Sequence, residues 1–351
     1  MDTHRFDAAV VIGRFQPVHN GHLALLQRAL TLAPRCVVVL GSAGQARTPK
    51  NPFTADERAA MVRLAMPETD RARLDIVPLR DCYDAERWQR QVQRAVARLS
   101  GTGIGTGRIA LVGHFKDASS EYLRAFDGWT LVEADPVAGV DGTALRDALF
   151  AGAPERLAGH APVSTLQFLQ AWSASPHLAP LQQEWRHLRA YRQAWAAAPY
   201  PPVFVTVDAV VGCAGHVLLI RRAHAPGRGL YAVPGGFIEA RETTWQSALR
   251  ELEEETHLAL PVEQLKQALR GQAVFDHPDR SQRGRTITHA FHFELGPRAL
   301  PEVRADDDAQ SVEWVPLASL CALEDRFHDD HFHMLDHFFG LTRDDDDETA
   351  P

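Results

Sequence analysis

Apolar and polar positions divide the chain into two halves of different period. In the first half, short apolar runs alternate with longer stretches whose apolar residues recur every three to four positions. Residues Ala8 to Ile12 are continuously apolar, partly β-branched and end at Gly13, which predicts a strand buried on both faces. A helix is predicted from about Gly21 to Leu32 and a second strand from Cys36 (CVVVLGS). A second helix starts near Thr54, where Thr54 and Glu57 have the spacing of a capping box. The alternation continues with LDIVPL (74–79), a helical stretch around Arg87 to Leu99, RIALVGH (108–114) and WTLVEA (129–134). Apolar strands separated by helices predict a doubly wound parallel sheet, in which ligands bind beyond the carboxyl ends of the strands.

Between about Ala153 and Pro202 the pattern changes to Trp, Gln, Arg and Ala at helical spacing, ended by APYPP. From Val203 strand-like segments dominate, namely VFVTVDAVV, HVLLIRR, ITHAFHFEL and SVEWVPL, around one strong helix from Thr243 to about His257. The expected organisation is a first domain over 1–155, a helical linking segment over 156–202, a second domain over 203–340 and an acidic, solvated tail over 341–351.

Composition narrows the class. The 351 residues, 45% of them hydrophobic, suffice for two cores. A formal charge of -8, from 45 acidic and 37 basic residues with no dense basic block, argues against polymeric nucleic acid as a partner. Cys36, Cys82, Cys213 and Cys321 lie far apart, which suits free thiols in a reducing compartment. The start lacks a signal-peptide pattern and no apolar run reaches spanning length, so the cytoplasm is expected and a membrane partner is not. The pattern leaves open whether copies associate as a homo-oligomer.

Gly13 to His22 (GRFQPVHNGH) join the first strand to the first helix. His19 and His22 flank Gly21, where unpaired helix amides point outward and attract phosphate. Two imidazoles three apart can face one anion, while Gly21 permits close approach and Pro17 stiffens the entry. The alternative is a pair of ordinary loop histidines. GRFQP ahead, a strand before and a helix after weigh against it. The segment resembles the HxGH nucleotidyltransferase superfamily, whose members transfer a nucleotidyl group from a nucleoside triphosphate and release pyrophosphate. The resemblance implies that His19 and His22 act on the triphosphate with Mg2+ assisting, and that Gly13, Arg14, Phe15, Gln16 and Gly21 line the nucleotide site. Such transfer needs positioning and charge neutralisation more than covalent chemistry.

Further motifs narrow the acceptor. GSAGQARTPKNPFTADER (41–58) is similar to the archaeal-type nicotinamide mononucleotide adenylyltransferases. That resemblance implies ATP and nicotinamide mononucleotide as substrates and NAD as product, with Arg47 and Asn51 at the site and Trp88 against the nicotinamide ring. By itself, a tryptophan on a helix is more often core than ligand contact. LVGHFKDASSEYL (111–123) resembles the same family's strand-end segment, which implies roles for Gly113, Lys116 and Asp117. Gly142, Thr143 and Arg146 fall on its second phosphate motif, Thr143 as donor and Arg146 as cation. Asp141 and Gly142 depart from that motif, and Asp141 adds a negative charge.

In the second half, Gly236, Glu242, Arg250, Glu251, Glu254 and Glu255 fall at fixed intervals within GGFIEARETTWQSALRELEEETHL. Thr243 and Gln246 have capping-box spacing, and Trp245, Ala248, Leu249 and Leu252 form an apolar stripe. Glu251, Glu254 and Glu255 fall at i, i+3 and i+4, where like charges repel unless cations bind. Hard Mg2+ or Mn2+ ions suit such oxygens, clamp a diphosphate and activate water. A solvated acidic face is the alternative. The spacing resembles the Nudix box, which implies a C-terminal α+β Nudix fold, a mixed sheet sandwiched by helices, behind a Rossmann-like α/β first domain. It also implies diphosphate hydrolysis, with Arg250 and the three glutamates catalytic, the glutamates binding metal, and Gly235, Gly236 and Phe237 against substrate.

His257 stands where that box has glycine, a change that bears on the end of the helix. VFDHPDRSQRGRTITHAFHF (274–293) is similar to a loop of ADP-ribose pyrophosphatases, with Ser281 in place of an aspartate, and implies substrate contacts from Arg283 and Arg285. His328, His331, His333 and His337 carry no sharp ligand motif, so a zinc site is not expected. The resemblances together imply a bifunctional enzyme that makes NAD and hydrolyses ADP-ribose. Two alternatives remain for the second domain: another nucleoside diphosphate derivative as substrate, or a ligand sensor without hydrolysis, against which the complete carboxylate set weighs.

Overall fold

The protein's computed structural model describes residues 5–82, 84–101, 107–114, 122–258 and 260–342, and the chain divides into two compact units, Met1–Gln182 and Gln183–Pro351. The acidic residues from 343 onward lie outside the described residues.

The first unit is built on five strands, β1 (Ala8–Gly13), β2 (Cys36–Leu40), β3 (Leu74–Pro78), β4 (Ile109–Gly113) and β5 (Thr130–Glu133), in the order β3-β2-β1-β4-β5. All neighbours are parallel, with Val10 beside Val37 on one side and Leu111 on the other. β2 and β4 are buried throughout, and Ala8 to Val11 of β1 are buried as well, which is why these strands read as continuous rather than alternating apolar runs. Helices α1 (Asn20–Leu32), α2 (Ala55–Ala65), α3 (Glu68–Arg71), α4 (Ala85–Ser100) and α5 (Gly142–Ala151) connect and follow them. α1 buries Leu25, Leu26, Ala29 and Leu30, one face at helical spacing, whereas α4 buries only Val92 and Val96. The strand order reverses between β1 and β4, so Gly13 and Gly113 end at the crevice where a doubly wound sheet receives its ligand.

α6 (Val163–Trp172) docks on this unit. The Trp172 indole donates to Glu57 at 3.1 Å, and Trp172 and Phe168 meet the Phe53 ring edge-on at 4.9 and 6.3 Å. Part of the segment read as linking is thus anchored in the first unit, while α7 (Leu178–Ala194) crosses the division between units. No helix of the described residues is long and apolar enough to cross a membrane.

The second unit holds a mixed sheet of β6 (Val203–Cys213), β7 (His216–Arg222), β8 (Tyr231–Ala232), β9 (Gly235–Phe237), β10 (Leu269–Phe275), β11 (Arg285–Glu294) and β12 (Ala309–Pro316). Its order is β10-β11-β6-β7-β12, with β8 on β7 and β9 on β6. The β6–β11 pair is parallel and the other pairs are antiparallel. Alternation along β6 separates two cores. Val207, Ala209, Val211 and Cys213 pack with Ala248 and Leu252 of α8 (Thr244–Thr256), and Leu265 of α9 (Val262–Ala268) joins them. Val210 packs on the opposite face with Phe332, Met334 and Leu335 of α10 (His331–Phe339). A sheet with a core on each face, closed by helices, is the expected sandwich.

Candidate active sites

The first site forms where β1 runs into α1. His19 is the N-cap of α1, and its Nδ1 accepts the His22 amide while the His22 Nδ1 accepts the His19 amide, both at 3.3 Å. An imidazole whose Nδ1 accepts must, when neutral, carry its proton on Nε2, so each ring keeps an Nε2–H donor for a phosphate. Neutrality follows from burial, which pushes His19 down to about 4 and His22 well below its usual value. The two rings stack at 3.6 Å and Phe15 stacks on His22 at 4.3 Å, an arrangement two cations would resist. Gly21 lies beneath the His19 ring, which a β-carbon there would approach to 3.1 Å.

α5 brings the second phosphate motif to the same place. Arg146, buried, donates to the Gln16 carbonyl at 2.7 Å and to the Thr143 hydroxyl at 3.1 Å, and burial lowers its pKa to about 10. A β-carbon on Gly142 would lie 3.8 Å from the His19 ring, so α5 and α1 present their N-termini to one another. Asp141 caps α5 and accepts the Thr143 amide at 3.1 Å, placing a carboxylate where an anion would otherwise meet that amide.

Arg58, which ends the NPFTADER segment, and Asp81 hold the surrounding loops. Arg58, 1% exposed, donates to the carbonyls of Arg14 (2.8 Å), Gly41 (2.6 Å) and Ser42 (3.3 Å), tying the loop after β1 to the loop after β2. Asp81 accepts the Ser42 amide at 3.0 Å and its hydroxyl at 2.6 Å, and Gln45 at 3.3 Å. Gln45 passes the chain on to the Asn51 amide group (2.7 Å), whose own Oδ1 is buried without a partner. Gln16 exchanges two hydrogen bonds with the Phe53 backbone, and Arg47 forms a two-pronged pair with Glu57, so both shape the site rather than project freely into it. Arg14 is exposed beside them. Trp88 is half-buried and meets Tyr122 (5.5 Å) and Phe126 (6.0 Å) edge-on. Gly113 ends β4 against Leu123, while Lys116 and Asp117 lie outside the described residues.

The second site lies where α8 meets β9. Thr243 and Gln246 cap α8 reciprocally. Glu255, 2% exposed, accepts the Gly235 amide at 2.9 Å, and burial raises its pKa to about 8. Burial also raises Glu251. Gly235 and Gly236 have no room for a side chain: a β-carbon would run into the Val207 carbonyl at the first and into the Glu251 carboxylate at the second. Arg250 stands among the acids, donating from Nη1 to Glu251 and Glu254, both at 2.9 Å, from Nε to Glu242 at 3.0 Å and from Nη2 to the Phe237 carbonyl at 3.2 Å. No three His, Cys, Asp or Glu side chains among the described residues converge closely enough to hold a metal ion, and at this site Arg250 stands between the carboxylates.

Around this cluster, Arg283 lies over the Phe237 ring at 5.0 Å, and Arg285 donates to the Asp276 carbonyl. Ser281 accepts the Arg283 amide at 3.3 Å. His257 ends α8 in the left-handed region (φ 44) and meets Asp306 at 2.8 Å, so the side chain supplies a contact the glycine of the box lacks. Of the C-terminal histidines, His328 and His331 are buried beneath the sheet, His331 accepting the Val233 amide at 3.1 Å.

These features define the class: a Rossmann-like nucleotidyl-transfer domain followed by a Nudix domain. The Cytidylyltransferase-like family matches residues 10–94 and the NUDIX domain family residues 202–338. The chain is 36% identical over 184 residues to the nicotinamide/nicotinic acid mononucleotide adenylyltransferase of Acinetobacter baylyi, covering 52% of this chain and 95% of that one. It is 35% identical over 116 residues to the ADP-ribose pyrophosphatase of Methanocaldococcus jannaschii, covering 33% of this chain and 63% of that one. The crystal structure of a bifunctional NMN adenylyltransferase/ADP ribose pyrophosphatase from Francisella tularensis, complexed with AMP and Mn ion, superposes with a TM-score of 0.87 at 34% identity, over 95% of this chain and 99% of that one. The chain belongs to this family of two-domain bifunctional NMN adenylyltransferase/ADP-ribose pyrophosphatases.

Proposed function

We propose that the chain is a bifunctional enzyme of NAD metabolism. In the first site the phosphate oxygen of nicotinamide mononucleotide attacks the α-phosphorus of ATP, forming NAD and expelling pyrophosphate. The observation that carries this reading is the stacked, neutral His19–His22 pair at the α1 N-terminus, facing Thr143 and Arg146 of α5. Its Nε2–H donors and the Arg146 cation suit the charge that gathers on a leaving pyrophosphate. Trp88 is the candidate contact for the nicotinamide ring.

In the second site water adds to one phosphorus of ADP-ribose, and the diphosphate bond breaks to give AMP and ribose 5-phosphate. Glu251, Glu254 and Glu255 would hold a hard divalent ion, Mg2+ or Mn2+. An all-oxygen donor set in which burial raises two of the carboxylates fits such a cation. When bound, the ion supplies charge neutralisation of the diphosphate and acidification of its water. Arg250 spaces the carboxylates, the Gly235 amide orients Glu255, and Gly236 lets the backbone approach the substrate. The intact set of Arg250 and its glutamates speaks against a sensor without hydrolysis. Four cysteines, none in a disulfide, favour a reducing, cytoplasmic setting.

The test offers the protein ATP with nicotinamide mononucleotide and, separately, ADP-ribose, each with Mg2+ or Mn2+. His19→Ala is expected to abolish only the first reaction and Glu254→Gln only the second. Wild-type protein that leaves ADP-ribose intact while cleaving another dinucleotide would overturn the substrate assignment.

A further inference from the structure

The segment from β8 into β9 is slung between two helices. Of residues 233–235, Pro234 has no amide hydrogen, and the amides on either side of it both end on side chains. Val233 donates to the His331 Nδ1 at 3.1 Å, and Gly235 donates to the Glu255 carboxylate at 2.9 Å. His331 opens α10 and Glu255 stands near the end of α8, helices that pack on opposite faces of the sheet. Ala209 of β6 holds the segment from the side, donating to the Pro234 carbonyl at 2.8 Å. There is no slack: a β-carbon on Gly235 would strike the Val207 carbonyl and lie 2.7 Å from the Asp208 carboxylate. The position of His331 therefore sets the height at which the Gly235 amide meets Glu255.

His331 is itself held. Asp330 forms a two-pronged ion pair with Arg280, at 2.7 and 2.8 Å and with both side chains almost fully buried, so its carboxylate serves the arginine instead of capping α10. The His331 amide donates to the His328 carbonyl at 3.1 Å, and the His328 amide to the Tyr231 carbonyl at 2.9 Å. Burial above all, and then the neighbouring His328, pushes the His331 pKa well below its usual value. The ring is therefore neutral, with its proton on Nε2, and Nδ1 stays an acceptor. An aliphatic side chain in its place would leave the buried Val233 amide unpaired.

We propose that His331 is a positioning residue of the second site: from beneath the sheet it fixes the 233–235 segment so that the Gly235 amide holds Glu255 in the orientation that receives a divalent cation. The proposal rests on reading the second site as a metal-dependent diphosphate hydrolase. One of the C-terminal histidines thus acts on that site through the backbone, and not as a metal ligand.

The experiment uses the full chain and compares His331→Leu, which has no acceptor, with His331→Asn, whose Oδ1 takes the place of the ring Nδ1. In metal-free protein, hydrogen exchange of the Val233 and Gly235 amides is expected to quicken at least tenfold in His331→Leu, with β7 amides within twofold, and to return within threefold of wild type in His331→Asn. With Mn2+ added, the leucine variant is expected to hydrolyse ADP-ribose with kcat at least tenfold lower and KM for ADP-ribose within threefold. Its half-saturating Mn2+ concentration should rise at least threefold, and asparagine should restore all three quantities. Unchanged exchange at Gly235 or unchanged kcat in the leucine variant overturns the proposal. So does a loss that asparagine does not rescue or that extends to β7, which would make the histidine merely part of the core. If leucine prevents folding, His331→Gln replaces it, with its acceptor one bond farther out: kcat at least threefold below that of His331→Asn supports the proposal, and equal kcat overturns it. Wild-type protein that cleaves no ADP-ribose defeats the hydrolase reading alone. Exchange at Gly235 then decides the role of His331, a tenfold rise in the leucine variant supporting it and an unchanged rate overturning it.

Discussion

Replacing Arg58 by leucine is expected to disable the first site while sparing the second. The guanidinium is 1% exposed and serves the carbonyls of Arg14, Gly41 and Ser42 besides that of Thr54 in its own helix. Leucine fills part of the volume but leaves three loop carbonyls without a donor. At about 1–3 kcal/mol for each buried polar group left unpaired, the gross loss is about 3–9 kcal/mol. Against this stands the desolvation that the arginine itself suffers, visible in a pKa that burial lowers to about 10, and worth several kcal/mol. Taking the middle of that range, a net loss of about 3 kcal/mol from the first unit remains. The consequence for activity follows from Phe15 and Ser42, which sit at φ 53 on the two tied loops. Non-glycine residues keep that conformation only where the surroundings enforce it. Scanning calorimetry and separate assays of adenylyl transfer and ADP-ribose hydrolysis should show a lower first transition, at least tenfold slower transfer and hydrolysis within twofold. Arg58→Lys, with one nitrogen instead of a fork, should fall between. A leucine variant that keeps its transfer rate and melts within about 1 kcal/mol of wild type would refute the reasoning.

Three further outcomes are expected. Because burial holds His19 at about 4 in the fold against an ordinary 6.5, the unfolded chain binds more protons between those values, and stability falls as pH drops through that window. The cost is about 2 kcal/mol between pH 7.5 and pH 5, and His19→Asn should flatten that part of the stability–pH curve measured by urea unfolding. Asp141→Asn keeps the cap on Thr143 but removes a charge from the α5 N-terminus, so KM for ATP should fall about threefold to tenfold, consistent with about 1 kcal/mol; a higher KM speaks against a phosphate at that amide. His257→Gly relieves a left-handed residue at about 1–2 kcal/mol and gives up an exposed ion pair worth about 0–1 kcal/mol. The second unit should therefore melt slightly later, and a clearly earlier transition would show that the Asp306 contact holds the turn.

What the sequence made legible was what depends on near neighbours. Continuous burial marked β1, β2 and β4, and capping boxes at Thr54 and Thr243 marked the starts of α2 and α8 to the residue. The helical spacing of Glu251, Glu254 and Glu255 likewise needed no tertiary knowledge. Hidden from it were meetings between distant segments. Arg58 stands at the end of NPFTADER with no role assigned from the motif, and its burial follows only when the loops after β1 and β2 close over it. Asp81 reads as a loop acid until Ser42 and Gln45 reach it. The segment around 183–202 reads as a connector, because nothing local reveals that Trp195 will stand beside Phe204. Trp88 carries both of its readings into the fold, half-buried against Phe126 yet near the end of the sheet.

The two sites meet the same problem, phosphate charge, with opposite electrostatics. Burial keeps His19 and His22 neutral, so they offer donors without attracting an acid to balance them, and the positive charge comes from Arg146. At α8, Glu251 and Glu254 of the helix and Glu242 just before it crowd around a single arginine, which offsets at most one of their charges, while Glu255 turns to the Gly235 amide. Burial lightens the remainder by favouring protonation of Glu251 and Glu255, a compromise that a divalent cation resolves far better than a proton. A triphosphate that travels as its magnesium complex suits the first arrangement, and a diphosphate ester with two negative charges meets only repulsion in the second until a cation joins it. On the proposed reading, the sites therefore differ in which party would bring the cation: the nucleotide in the first, the acidic helix in the second.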